Sequence, residues 1–187
     1  MSISQYSGSL AFYVSLGYLL KIKYNKKMAN NYVSFTHAVG AVILATICKL
    51  YQTDNINNQL RLNAITGEVY QIQNDGQRFL VHAAVTSETG KSGRYKLFKT
   101  ENMWTFILLD RYTGKLWQCQ YSVEGTEYIA SWVINSSVLS TTEKSKFTIE
   151  PQTSMFQFYL LNEDTGDMWK FQWSTKSEEG YRWIEKF

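Results

Sequence analysis

One pattern written three times constrains this chain more than any other feature: LRLNAITGEVYQIQ from Leu60, ILLDRYTGKLWQCQ from Ile107 and YLLNEDTGDMWKFQ from Tyr159. In each copy apolar residues alternate up to Asn63, Asp110 or Asn162. Thr-Gly follows three and four residues later, and a second alternating run begins. Period-two alternation on both sides of a glycine-containing turn is the signature of a β-hairpin. The short Asn or Asp side chain can accept hydrogen bonds from backbone amides just ahead of it, and glycine takes a positive φ without steric cost. Asp110 is therefore read as a turn residue and not as a catalytic acid.

The copies extend backward without a gap. CKLYQTDNINNQLRLNAITG overlays YKLFKTENMWTFILLDRYTG at an offset of 47 residues, and the latter overlays FTIEPQTSMFQFYLLNEDTG at 52. Periods of this size mark a repeat architecture. Each unit reads as four strands, the last at 78–85, 128–135 or 181–187. The expected fold is all-β over 48–187: three four-stranded antiparallel repeats (about 48–86, 94–135 and 146–187) in a pseudo-threefold arrangement, either β-trefoil-like or propeller-like. An N-terminal apolar or helical segment, 1–47, precedes it. Propellers usually have four or more blades, so three alone leave edges that call for an oligomer or a capping N-terminal segment. The final closing strand reaches the end of the chain, so no further domain is expected downstream.

Alternation sorts the outgoing strands into two faces. Trp117, Cys119 and Tyr121 share one, as do Trp169, Phe171 and Trp173, with Tyr70 and Ile72 in the first copy; this is the expected buried face. The other carries Gln71 and Gln73, Gln118 and Gln120, Lys170 and Gln172, behind a leading Val69, Leu116 or Met168.

Composition narrows the function classes. Six Trp, thirteen Tyr and ten Phe favour strands. The net charge of +3 is unevenly placed. Lys21, Lys23, Lys26 and Lys27 precede Cys48 without any acid, leaving fifteen Lys or Arg against sixteen Asp or Glu in 49–187. A near-neutral repeat region lacks the clustered cations that neutralise phosphates, which argues against a nucleic-acid partner. Cys48 and Cys119 make neither a disulfide framework nor a metal cluster, and Cys119, set among aromatics, reads as a buried thiol. His37 and His82 lie far apart without zinc-site spacing. With no nucleophile–base pair, poised carboxylate pair or phosphate-cradling glycine loop, no catalytic residue, cofactor or metal ligand is assigned, and the protein is not expected to be an enzyme. His82 reads as a hydrogen-bonded structural histidine, and Glu163, Asp164 and Asp167 as a solvated turn.

Residues 1–47 differ in kind. An apolar run (10–20), a basic patch (KIKYNKK) and a second apolar run (33–47) follow one another, and neither run reaches the roughly 20 residues of a membrane-spanning helix. Cations followed by an apolar stretch suit a secretory signal or a short anchor. The expectation is export, or membrane attachment through 1–47, at the cell envelope. The alternatives are a cytoplasmic protein whose first 47 residues pack as helices on the β domain, and a misassigned start codon. Ile47 is larger than the small residue that precedes a lipoprotein cysteine.

The stretch LLDRYTGKLWQ resembles the repeat of the quinoprotein-type β-propellers, where Asp, Thr-Gly-Lys and Trp mark a hairpin in each blade. Trp117 sits one position closer to the turn than in that pattern, and Asn63 and Asn162 replace the Asp; the resemblance implies blades and no quinone. Residues 102–120, of the form NMWTFILLDxxTGxxWQxQ, together with 181–186, are similar to small exported bacterial β-repeat proteins of uncharacterised activity. That resemblance implies repeats and export and supplies no chemistry. The first unit departs from it, with Asn57 where the second has Trp104.

The candidate binding residues are Trp104, Gln118, Gln120 and Gln172. A ring near a loop beside carboxamides could stack on a sugar while the amides take its hydroxyls. The competing reading makes alternating aromatics core and lets the glutamines pair across neighbouring strands; Trp117 and Trp169 are assigned to the core. The expected function is a non-catalytic binding or structural role at the cell envelope, with a glycan or an envelope protein as partner. The alternative is a carbohydrate-binding module or an accessory domain of an envelope enzyme.

Overall fold

In a computed structural model of the chain, the structure describes residues 48–55, 57–86, 93–136, 138, 145–176 and 181–187. All fall within a unit running Thr46–Phe187, and the expectations for 1–47 lie outside them. The described residues form three four-stranded antiparallel sheets, each a meander in chain order. The first contains β1 (Cys48–Gln52), β2 (Asn58–Asn63), β3 (Val69–Gln73) and β4 (Arg78–His82). The second contains β5 (Tyr95–Lys99), β6 (Thr105–Asp110), β7 (Leu116–Gln120) and β8 (Ala130–Asn135). The third contains β9 (Phe147–Pro151), β10 (Gln157–Asn162), β11 (Met168–Gln172) and β12 (Trp183–Lys186). The closing strands are shorter than their alternation suggests. β4 stops at His82, and a 3-10 turn at Thr126–Tyr128 takes the first part of the segment that leads into β8.

The central hairpins follow the turn chemistry of the repeat. Asn63, Asp110 and Asn162 each accept a hydrogen bond at 3.0 Å from the backbone N–H two residues ahead. Gly67, Gly114 and Gly166 then reverse the chain at φ of 80°, 70° and 79°. Asp110, nearly fully buried, also accepts the Thr113 hydroxyl at 3.0 Å and a two-pronged pair from Arg94 at 3.1 and 2.7 Å. Its carboxylate is committed to holding the turn.

The sheets stack in series. Leu60, Leu62, Val69 and Val81 of the first sheet pack against Leu97, Phe106, Leu108, Trp117 and Cys119 of the second. The opposite face of the second sheet, Ile107, Leu109, Leu116 and Ile134, packs against Phe147, Leu160, Trp169 and Phe171 of the third. The middle sheet is thus buried on both sides, and every residue of β6 is inaccessible. Face-to-face stacking of successive meanders is the propeller-like of the two expected arrangements.

This order corrects the expected division into a buried and a polar face. The division holds for the third sheet, where Trp169 and Phe171 are buried and Lys170 and Gln172 are not. In the second sheet both faces are core. In the first it is inverted, because Val69 and Gln71 meet the neighbour while Tyr70 and Ile72 face outward. Alternation reveals two faces, and only the stacking order says which of them has a partner.

The glycine turns differ in what surrounds them. A Cβ at Gly114 would collide with the Val138 side chain and press on Leu160 and Phe147 at 3.3 Å, whereas among the described residues nothing lies within 4 Å of one at Gly166. Gly166→Ala is expected to cost roughly 1 kcal/mol from the left-handed backbone alone, and Gly114→Ala at least about twice that from backbone strain plus overpacking. Urea unfolding of the two variants checks this; equal losses would mean that the surroundings of Gly114 yield freely.

Candidate functional site

The two junctions between sheets are joined by the same device. A carboxamide presents a donor and an acceptor side by side, as a peptide group does, and two buried glutamines use this to extend hydrogen bonding from one sheet to the next. Gln71 Nε2 donates to the Ser122 carbonyl at 2.7 Å, and its Oε1 accepts the Ser122 N–H at 3.3 Å. Gln118, at the equivalent place in the second unit, donates to the Ser174 carbonyl at 2.7 Å and accepts the Ser174 N–H at 3.2 Å. Both side chains are fully buried. Gln118 also accepts from Arg182 Nε at 2.9 Å, and the Arg182 guanidinium donates to the Lys176 carbonyl at 2.8 Å and lies 4.7 Å over Trp132. Desolvation pulls the Arg182 pKa below its ordinary value. Gln118 is corrected accordingly, from a candidate ligand-binding amide to a tie between sheets, since its amide has no exposed atom to offer.

Above each tie, at the same end of the stack, lies a cavity. The approach to the hairpin is a tight turn in every unit: Asn55 Oδ1 accepts the Asn57 N–H at 2.9 Å, Asn102 Oδ1 accepts the Trp104 N–H at 2.9 Å, and Ser154 Oγ accepts the Phe156 N–H at 3.4 Å. The turn fixes the residue that follows at the mouth of the junction. At the second junction, Trp104, Asn102, Gln120 and Tyr128 border an open cavity of about 300 Å³, with Thr175 of the third unit also on its lining. At the first, Asn57, Asn55, Gln73 and Asn74 border one of about 310 Å³, with Val123 of the second unit also on its lining. Trp104 is half-buried, its ring 5.4 Å from that of Tyr121, and Tyr128 is exposed.

Two of the four residues expected at a site therefore meet. Trp104 and Gln120 share the second cavity, with the Gln120 amide nitrogen donating to the Tyr128 carbonyl at 3.1 Å. Gln172 lies at the equivalent place in the third unit and does not line this cavity. Its amide donates to the Tyr181 carbonyl at 3.2 Å and accepts from Gln157 at 3.1 Å. Tyr128 and Asn102 escaped the sequence reading. The spacing of Asn102 to Trp104 carried a usable signal, since an Asn two residues before a ring at a strand entrance is an Asx turn.

Other reactive groups are accounted for structurally. His82 is buried; its Nδ1 lies 2.8 Å from Ser131 Oγ and its ring 5.2 Å from that of Trp117. Burial first, and the charge of Lys115 second, push its pKa down from 6.5 to about 4. Burial raises the Cys119 thiol far above its ordinary range. Glu163 pairs with Lys146 and, at 3.7 Å, with Arg111. Asp167 pairs with Lys186 at 3.0 Å, which with the Thr165 hydroxyl lowers its pKa. Among the described residues no group of His, Cys, Asp and Glu is placed to hold a metal ion, and no helix is long and apolar enough to cross a membrane.

No family model and no curated protein matches the chain. Among solved structures it is similar to an auxiliary nutrient binding protein from Bacteroides thetaiotaomicron, at 9% identity and a TM-score of 0.43. The match covers 72% of this chain and 34% of that one, so the chain spans about a third of the length of the structure it matches.

Two measurements probe the junctions. Gln118→Leu strands the Ser174 peptide groups and Arg182 in a buried setting, and is expected to cost roughly 2–3 kcal/mol, against less than about 0.5 kcal/mol for Gln73→Leu at a half-exposed position. Denaturant midpoints compare them, and similar losses would remove the tie from the account. For His82 the folded state favours the neutral ring. Its contribution is complete above pH 6.5 and is lost as pH falls from 6.5 towards about 4. That portion of the stability–pH slope, on the order of 2 kcal/mol, should vanish in His82→Gln; a profile unchanged by the substitution contradicts the assignment.

Proposed function

We propose that the β unit is a non-catalytic binding module of the cell envelope, taking a small glycan or similar polyol in the cavity between the second and third sheets. The supporting observation is the lining of that cavity. A half-buried Trp104 and an exposed Tyr128 offer apolar faces, and Asn102, Gln120 and Glu124 offer polar groups around them. A pyranose ring has apolar C–H faces and an equator of hydroxyls, so it suits rings flanked by amides and a carboxylate. The volume lies at the lower end for small-molecule sites, enough for one or two sugar units. The equivalent cavity at the first junction has the same turn and the same glutamine but Asn57 in place of the ring, so stacking chemistry belongs to the second. Non-catalytic action fits a cavity lining on which, among the described residues, Glu124 stands without a second acid, while Asp110, Glu163 and Asp167 are engaged in turns and ion pairs elsewhere, and a place at the envelope rests on the basic-then-apolar character of 1–47.

Glycan-array screening of the full chain, followed by titration calorimetry on the hits, tests this. Tyr128→Ala is expected to weaken binding about fivefold while leaving the melting temperature unchanged, because an exposed aromatic face contributes about 1 kcal/mol of stacking. Trp104→Ala is expected to abolish it. A chain that binds no glycan, or whose affinity is indifferent to Tyr128→Ala, refutes the reading.

A further inference from the structure

The two outer faces of the stack are the two halves of the interface that the chain uses twice internally. Leu50, Arg61, Tyr70 and Leu80 lie in register across the outward face of the first sheet. In the repeat, Leu50 corresponds to Leu97 and Ile149, which are 2% and 3% exposed inside the junctions, yet Leu50 is 61% exposed. Tyr70 corresponds to Trp117 and Trp169, both buried. At the other end, Tyr159, Leu161 and Met168 on the outward face of the third sheet correspond to Ile107, Leu109 and Leu116, none of which is exposed at all.

The end faces differ from the internal ones in charge, and in a complementary sense. Arg61 and Arg78 stand on the outward face of the first sheet. Glu150 and Glu185 stand on that of the third, in register with Tyr159 and Lys170. The tie changes in the same way. Where the first two units have Gln71 and Gln118 the third has Lys170, and where the second and third have Ser122 and Ser174 the first has Asp75. Each internal amide-to-peptide tie would be replaced at an end-to-end junction by a lysine facing an aspartate.

We propose that the chain pairs with a second copy of itself head to tail, the outward face of the third sheet of each copy meeting the outward face of the first sheet of the other. Two such junctions related by a twofold axis close a ring of six sheets, a common propeller size, whereas three sheets are too few to close. The pairing is independent of what occupies the Trp104 cavity.

Sedimentation velocity on the full chain tests the pairing, with twice the 21.7 kDa chain mass expected. Arg61→Glu with Arg78→Glu, and separately Glu150→Arg with Glu185→Arg, should each sediment as monomers while keeping the wild-type circular dichroism. An equimolar mixture of the two variants should recover the dimer, because one junction is then wild-type and the other has both charge sets exchanged. A monomeric wild-type chain, a dimer broken by only one of the two variants, which marks a like-to-like interface, or an open-ended assembly overturns the proposal.

Discussion

A side-chain amide standing in for a peptide group is what ties three separate meanders together in a defined order. Apolar faces attract one another without direction, so stacked sheets of Leu, Ile and Trp have many nearly equivalent ways to slide. Gln71 and Gln118 remove that freedom. Each is buried with both ends of its amide satisfied by one serine of the next unit, and any slip would leave a carboxamide and a peptide group unpaired away from water. The glutamines therefore specify register where the hydrophobic contacts supply most of the stabilisation, and the cavities above the junctions inherit their shape from that register.

Local features of this fold are legible in the sequence and relations between sheets are not. The hairpins can be read because Asn63, Asp110 and Asn162 act on amides two residues away, and because a positive φ leaves its mark as glycine. Strand order within a sheet follows from short connections. Which face meets a neighbour depends on residues a whole repeat away, so an identical alternation gives a buried aromatic face in the third sheet, two buried faces in the second and an outward aromatic in the first.

The candidate site shows the same divide. Trp104 and Gln120 can be picked out because a ring at a strand entrance and an amide at the end of a strand are local signatures. Gln118, two residues from Gln120 on the same face of the same strand, has the opposite fate: it sits deeper along β7, under the third sheet, where Ser174 and Arg182 reach it. No pattern around Gln118 distinguishes it from Gln120. Arg182 is equally silent, since a cation in a terminal YRWIEK segment reads as solvated until Trp132 and the Ser174 and Lys176 carbonyls are found around it.

Repetition also separates what the fold requires from what a ligand could use. Asn55, Asn102 and Ser154 make the same turn, and Gln73, Gln120 and Gln172 hold the same place at the strand end, so these positions serve the architecture in every unit. The residue between them is Asn57, Trp104 or Phe156. Phe156 lies 5.0 Å from the fully buried Trp173, Asn57 is tied to Asn74 at 2.9 Å, and Trp104 alone of the three borders an open cavity with a ring. The scaffold tolerates an amide, an indole and a phenyl at this point without changing the turn that carries them. Where the residue is aromatic its ring still packs on the core, Trp104 against Tyr121 and Phe156 against Trp173, so the second unit's indole serves the stack and the cavity border at once.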